Sequence, residues 1–270
     1  MSLFVDDEIR ARTERLELPF NRHGLDPYGI SKADLAWLYT VFNWFYRRYF
    51  RVTAVGVENI PPRGRAMLVG NHSGGWALDA MMVVSACFLE MEPPRLAQGM
   101  VERFLTKLPV SAFLTSRLGH FTGTPANAVH LLENERLLMV FPEGARGTAK
   151  LYRQRNSLID FGTGFMRLAL QTQTPIVPFA FLGGGEAIPT VMNLYRIGKL
   201  LGLPYVPVTP YGVPLPLPVP LEVRFSEPMR FEGTGNEDDE VIEGYVERVR
   251  VRIAGLIEEG TRQRALGRRS

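Results

Sequence analysis

The pattern of apolar and polar positions changes period several times along the chain. A polar N-terminal stretch is broken by Pro19, Gly24, Pro27 and Gly29, and the aromatic run "ADLAWLYTVFNWFYRRYFR" follows it. Ser31 is an N-cap candidate with Asp34 three residues on, so a helix is predicted from about Lys32 to Tyr49. Short, mostly apolar runs come next at "AMLVG" (66–70), "RLAQGM" (95–100), "LLMVF" (137–141), "PIVPFAFLG" (175–183) and "LEVRF" (221–225). Runs of this length bounded by Gly, Pro and Asn read as buried strands. "HFTG" reads as a further short strand. Helical patterns lie between them: Gly75 to about Leu89, "ERFLTKLPVSAFLTSRLG" interrupted by Pro109, "PANAVHLLENE" opened by Pro125, and "GFMRLALQTQ".

Strands alternating with helices through short connections predict the α/β class, with a mainly parallel or mixed central sheet flanked by helices. An N-terminal aromatic amphipathic helix precedes it. A C-terminal helix follows, predicted over about Glu237–Glu259, with Asn236 as N-cap and "EDDE" at the positive end of its dipole. Ile242, Tyr245, Val246, Val249, Ile253, Leu256 and Ile257 give it one packing face, Gly260 is read as its stop, and the basic tail "TRQRALGRRS" lies beyond. The organisation expected is an arm and aromatic helix over 1–50, an α/β domain over 51–232, and a C-terminal helix and tail over 233–270 packed on that same domain. "LPYVPVTPYGVPLPLPVP" (203–220) is proline-rich yet apolar, so it is read as an extended loop against the protein or against lipid.

Composition narrows the function classes. The 46% hydrophobic content supplies a sizeable core. With 31 Lys+Arg against 28 Asp+Glu, the balance does not argue for a nucleic-acid partner. The one cysteine, Cys87, lies in an apolar run and reads as a small buried hydrophobe, which fits a reducing cytoplasm. Four histidines and one cysteine without ligand-like spacing predict no metal site. His130 reads as a helix-surface residue and His120 as a strand-end polar group. No signal-peptide core is seen at the N-terminus, and no run reaches the roughly 18 apolar residues of a spanning helix.

Three stretches carry chemistry. "GNHSGGWALDA" (70–80) follows a predicted strand, where open α/β sheets place their sites, and sets six residues between His72 and Asp79. On one continuous helix, residues seven apart are separated by about 10 Å along the axis. A His–Asp contact therefore requires His72 to lie before the helix, on a bend made at Gly74 and Gly75. The alternative is that Asp79 stabilises the helix N-terminus and His72 is polar lining. "VFPEGARG" (140–147) offers a carboxylate at Glu143, close backbone approach at Gly144 and a phosphate-matching fork at Arg146, or else an ordinary turn with a surface ion pair. "TPIVPFAFLGGGEA" carries Pro178 inside an apolar run, which reads as a strand edge or bulge beside a pocket, and then a permissive triple glycine at 183–185.

In order and spacing, these three stretches resemble the motifs of the glycerolipid and lysophospholipid acyltransferase superfamily, the PlsC-type 1-acylglycerol-3-phosphate acyltransferases. The resemblance covers roughly residues 50–230. It implies an O-acyltransferase in which His72 is the general base, Asp79 orients its imidazole, and the acceptor hydroxyl attacks the thioester directly. Glu143 and Gly144 would shape the acceptor site, Arg146 would bind an acceptor phosphate and Pro178 would line the pocket. Ser73, Gly74 and Gly75 are candidates for the oxyanion or pocket wall. No cofactor is implied; acyl-CoA or an acyl-carrier protein would be the co-substrate. The common family spacing has four residues between His and Asp, so the wider gap points to a subgroup near the neutral-lipid (diacylglycerol) acyltransferases. Ala145 and Gly147 stand where the family often has Thr and Ser, and Gly123 and Thr124 stand near the expected phosphate-gripping arginine.

Two other classes compete. A serine hydrolase would use Ser73, but "GNHSGG" is not the Gly-x-Ser-x-Gly elbow and adjacent strand residues point apart. A lipid-binding module without catalysis would keep the fold alone. The aromatic helix, with Arg47, Arg48 and Arg51 at its end, reads as a core helix or as one lying in a membrane interface. The localisation expected is cytoplasmic and peripheral, on the inner face of the plasma membrane, with the lipid surface as partner.

Overall fold

The computed structural model describes residues 5–75, 77–101, 119, 121–212 and 215–267. Its centre is a seven-stranded sheet built from β1 (Thr53–Val55), β2 (Ala66–Gly70), β3 (Ala97–Val101), β4 (Phe121–Thr122), β5 (Leu137–Val140), β6 (Ile176–Leu182) and the later strand at Glu222–Phe225. A separate antiparallel pair, β7 (Met192–Leu194) and β8 (Val206–Val208), makes the last strand of the sheet β9. Strand order is β1-β9-β6-β2-β5-β3-β4. The run from β6 to β4 is parallel; β9 is antiparallel to β6 and parallel to β1. The sheet is therefore mixed, with a parallel centre, as the buried runs predict.

The helices are α1 (Asp7–Glu14), α2 (Lys32–Trp44), α3 (Leu78–Glu90), α4 (Pro125–Glu133), the turns α5 (Ala145–Thr148), α7 (Gly184–Ala187) and α8 (Tyr195–Leu200), and the longer α6 (Gly164–Gln171) and α9 (Asp239–Gly267). Period-two alternation sends each strand's side chains to two cores. Leu68, Met139, Val177 and Phe179 join α2 and α3 on one face. Met67, Val69, Leu138, Ile176 and Ala180 join α4, α6 and α9 on the other. Both faces being covered is why these strands read as continuous apolar runs rather than alternating ones.

Ser31 caps α2 by accepting from the Asp34 amide at 3.3 Å. The helix does not continue regularly to Tyr49: from Phe45 it widens into a π turn, closed by Phe50 N–H donating to the Phe45 carbonyl at 2.8 Å. The wider turn keeps Tyr46 and Phe50 both buried while Arg47 and Arg48 face out. Tyr39 stacks on Phe88 of α3, with centroids 3.9 Å apart. Cys87 lies in that core, and burial pushes its thiol up to about 12.

The C-terminal helix departs from the sequence reading at both ends. It begins at Asp239 and not beside Asn236, because the amides of Val241 and Ile242 turn back to the Asp238 carbonyl. It runs through Gly260 to Gly267, so much of the basic tail is helical. Gly260 is a contact residue rather than a stop: a Cβ there would stand 2.9 Å from Arg224 Cδ and 3.0 Å from Leu182 Cδ1. The 203–220 segment is not wholly loop either, since it contributes β8. The stretch 102–118, with its predicted helix, and His120 lie outside the described residues.

Candidate active site

β2 ends at Gly70, and its C-terminal edge delivers Asn71 and His72 beside α3. Asn71 fixes that edge. Its amide donates to the Phe181 carbonyl at 2.9 Å and accepts from the Phe181 N–H at 2.7 Å, bridging β2 to β6. The chain then turns through left-handed residues, with φ of 90° at Gly74, 48° at Gly75 and 56° at Ala77. This bend brings the second residue of α3, Asp79, back against His72.

Asp79 is fully buried and saturated. Its Oδ2 meets His72 Nδ1 and accepts from the Ser73 N–H at 2.7 Å, and its Oδ1 accepts from the Ala80 N–H at 2.8 Å. A carboxylate only accepts, so Nδ1 carries the imidazole proton and Nε2 is left with its lone pair. The ring lies flat on Phe141, centroids 4.2 Å apart and planes 15° from parallel. Tautomer, plane and direction of the imidazole are thus all set by neighbours. Helix-end stabilisation and histidine orientation turn out to be one arrangement, since Asp79 does both.

Glu143 comes from the loop after β5. It is buried, its Oε1 accepts from the His72 N–H at 3.3 Å, and its carboxylate pairs with Lys150 Nζ at 2.6 Å. Burial pushes the Glu143 carboxyl up and the Lys150 ammonium down, and the partner's charge opposes the shift in each case. Gly144 has φ 58° and ψ −156°, a conformation essentially confined to glycine, and it folds α5 back under the histidine. The close approach is made at Gly147: a Cβ there would lie 2.5 Å from His72 Cβ and 2.9 Å from Glu143 Cβ. The serine common in the family does not fit. Gly147→Ser is expected to lower the melting temperature, with a stability loss of about 1–3 kcal/mol from overpacking. Thermal unfolding checks it, and a wild-type melting temperature contradicts the contact.

The triple glycine has a comparable role. Gly74 and Gly184 meet backbone to backbone: a Cβ on Gly74 would lie 2.9 Å from Gly184 Cα, and one on Gly184 would lie 3.0 Å from the Ser73 carbonyl carbon. Ser73 itself is buried, and its amide is already engaged by Asp79. Pro178 does not stand on a sheet edge; it is central in β6, opposite Val69 of β2. Its carbonyl accepts from Ser226 N–H at 2.8 Å, just past the end of β9. The N–H it lacks would point the same way, so the proline marks where the β6–β9 ladder stops. It shares the strand face of Ile176 and Ala180, which pack toward α9, while Phe179 on the other face meets Phe141.

Arg146 is exposed, with one contact to the Asp160 carbonyl at 3.4 Å. It stands at a cavity of about 330 Å³ that Lys150, Gln154, Tyr195 and Tyr205 also line. Burial pushes the Tyr205 hydroxyl up to about 12, against the effect of its hydrogen bond with Thr148. Lys150, Phe141, Asn71 and Tyr205 belong to the site although the motifs do not single them out. Among the described residues, no three of His, Cys, Asp and Glu converge into a group that would hold a metal ion.

The family model described as Acyltransferase matches residues 51–182, which include His72, Asp79, Glu143, Gly144, Arg146 and Pro178. An uncharacterized protein of Mycobacterium tuberculosis is 35% identical over 214 residues, 76% of this chain and 58% of its own. A Mycobacterium leprae protein, also uncharacterized, is 33% identical over 76% of this chain and 57% of its own. The chain thus spans little more than half the length of these relatives. A Bos taurus protein described as a "DGAT1/2-independent enzyme synthesizing storage lipids" is 23% identical over 66% of this chain and 52% of its own. The crystal structure of the 1-acyl-sn-glycerophosphate (LPA) acyltransferase PlsC from Thermotoga maritima shares the fold, with a TM-score of 0.54, 19% identity, and 83% of this chain and 82% of that chain covered. The motif-bearing stretch of the chain, residues 51–182, thus matches the Acyltransferase family, and the fold is the one that the Thermotoga enzyme has.

Proposed function

We propose that the protein transfers a fatty acyl group from an acyl-CoA or acyl-carrier-protein thioester to a hydroxyl of a glycerolipid or lysophospholipid. The observation that carries this is the saturated Asp79 carboxylate on His72 Nδ1, which leaves Nε2 as a proton acceptor. An alcohol is a poor nucleophile unless its proton leaves as it attacks, while a thioester is already activated. His72 Nε2 takes the hydroxyl proton as the oxygen adds to the thioester carbonyl. The tetrahedral adduct collapses, the C–S bond breaks, and the departing thiolate takes the proton back from the imidazolium. The ester is formed, the free thiol is released and the histidine returns neutral.

The Gly74–Gly75 turn beside His72 offers backbone amides to the adduct oxygen, and Arg146, which lines the cavity, suits a charged acceptor headgroup. Asp79, Glu143 and Gly144 act through His72 by holding its loop. The bovine relative's description extends the acceptor class to neutral storage lipids, and the Thermotoga protein's to 1-acyl-sn-glycerophosphate. A serine-nucleophile route is disfavoured, because Ser73 is buried and adjoins the histidine in sequence. Among the described residues no helix is long and apolar enough to cross a membrane. We place the protein peripherally, on the cytoplasmic face of a membrane, where exposed Trp37, Val41 and Trp44 of α2 form a helical stripe that meets lipid.

The test is direct. Purified protein is incubated with palmitoyl-CoA and, separately, with lysophosphatidate, lysophosphatidylglycerol, monoacylglycerol and diacylglycerol, and products are read by mass spectrometry with thiol release in parallel. Acceptor-dependent thiol release matched by a new ester supports the reading. Acceptor-independent release of free fatty acid favours the hydrolase instead, and binding without turnover favours the lipid-binding module.

A further inference from the structure

The excursion between β6 and β9 has a composition unlike the rest of the chain. From Ala187 to Leu221 there is no Asp or Glu, and the charged residues are Arg196 and Lys199. Among the described residues it is also where a large apolar side chain is most exposed: Leu200 is 85% exposed, Tyr195 60% and Leu201 56%, with Val191, Met192 and Ile197 exposed beside them. A soluble surface usually scatters such residues singly, whereas here they gather on β7, α8 and the turn after it.

The excursion is fastened to the site. Asn193 donates to the Ala149 carbonyl at 2.6 Å, and Tyr152 N–H donates to the Thr190 carbonyl at 2.8 Å. Tyr195 and Tyr205 wall the cavity that also holds Arg146 and Lys150. Its far end reaches the aromatic helix. Leu217 N–H donates to the Ala187 carbonyl at 2.8 Å, Tyr49 Oη donates to the Pro216 carbonyl at 2.7 Å, and the Tyr49 ring lies 5.7 Å from that of Trp44. A connected rim thus runs from α2 to the tip at Leu200.

We propose that the exposed face of residues 191–201 is the principal lipid-docking surface, with Leu200 and Leu201 entering an anionic bilayer and Arg196 and Lys199 meeting its headgroups. Aliphatic and aromatic exposure, cationic charge and the absence of any acid are the complement of an anionic lipid surface. The consequence is that the Arg146 cavity opens beside the bilayer, so a lipid headgroup need not leave the membrane's vicinity to reach Arg146. The proposal rests on the peripheral-membrane reading above and moves the main contact from α2 to the excursion.

The experiment is vesicle co-sedimentation of the full chain with phosphatidylcholine alone and with phosphatidylcholine containing phosphatidylglycerol, read without turnover. Wild type is expected to bind the anionic vesicles. Leu200→Ser with Leu201→Ser is expected to reduce partitioning roughly tenfold or more, since two exposed side chains lose their burial in lipid. Arg196→Gln with Lys199→Gln is expected to weaken binding at low salt and remove most of its salt dependence. These residues are exposed, so circular dichroism should be unchanged. If the Leu variant binds as wild type while Trp37→Ser with Trp44→Ser does not, the excursion proposal fails and the peripheral reading stands. If wild type binds neither vesicle, both fail. If sedimentation velocity without lipid shows a wild-type dimer that the Leu variant loses, the face is covered by a second copy and the lipid proposal is overturned.

Discussion

His72→Ala is expected to lower acyl transfer by about 10²–10⁴-fold, the usual contribution of a positioned general base. The loss should fall on kcat more than on KM, because the imidazole acts on the proton only as the bond forms. The fold should survive. Asp79 keeps the amides of Ser73 and Ala80 when the ring is gone, so its buried charge is not stranded. What is lost is the stacking on Phe141 and one contact to the carboxylate. Transfer of a labelled acyl chain, with a melting curve beside it, reads both quantities. A variant that folds and transfers at the wild-type rate rules out the proposed base.

Lys150→Met is expected to cost more stability than any surface change, about 3–5 kcal/mol, because it removes one member of a buried pair and strands the other. Glu143 and Lys150 side chains are 0% and 5% exposed, and their separation is 2.6 Å. The sign of the pH dependence follows. Burial already pushes the Glu143 carboxyl up, and the Lys150 ammonium is the chief influence holding it down. Without that ammonium the folded carboxyl rises further above its value in the unfolded chain. A group raised in the fold contributes stability that is fully present below the unfolded value and is lost as pH rises through the folded one. The variant should therefore be most stable in the acid range and lose stability as pH climbs from the ordinary carboxylate range toward neutrality. Adding Glu143→Gln removes the stranded charge and should restore much of the loss. Urea unfolding across a pH series measures it. Equal destabilisation at every pH would mean that the lysine acts through packing alone.

The difference between what the chain reveals in one dimension and in three follows from the range of each interaction. β2, β5 and β6 were legible because each is buried on both faces and bounded by turn residues. The His72 bend was legible because six intervening residues cannot bring the dyad together along a regular helix. Lys150 was not, since nothing in "GARGTAK" says that an ammonium will be buried; only the folding back of the chain at Gly144 places it on Glu143. Pro178 reads as an edge or bulge in the sequence because a missing N–H usually means one, whereas the end of a neighbouring ladder serves equally well. Gly260 reads as a stop for a similar reason: a glycine that lets a helix approach Arg224 and Leu182 looks the same in sequence as one that ends it. The β7–β8 pair is hidden by Pro207, which sits harmlessly opposite Asn193 in a two-stranded ribbon.

The left-handed passage through Gly74, Gly75 and Ala77 bears on how this reaction centre is recognised across a family. A motif written with a fixed number of positions between His and Asp encodes a count, but the chemistry depends on where two atoms meet. Here the extra positions are absorbed as a loop lying against Gly184, and the carboxylate still reaches the imidazole. Insertions at this point should therefore be tolerated in evolution whenever a glycine pair accompanies them and the facing loop after β6 stays free of side chains. The two glycine clusters, about 110 positions apart in the chain, are expected to change together.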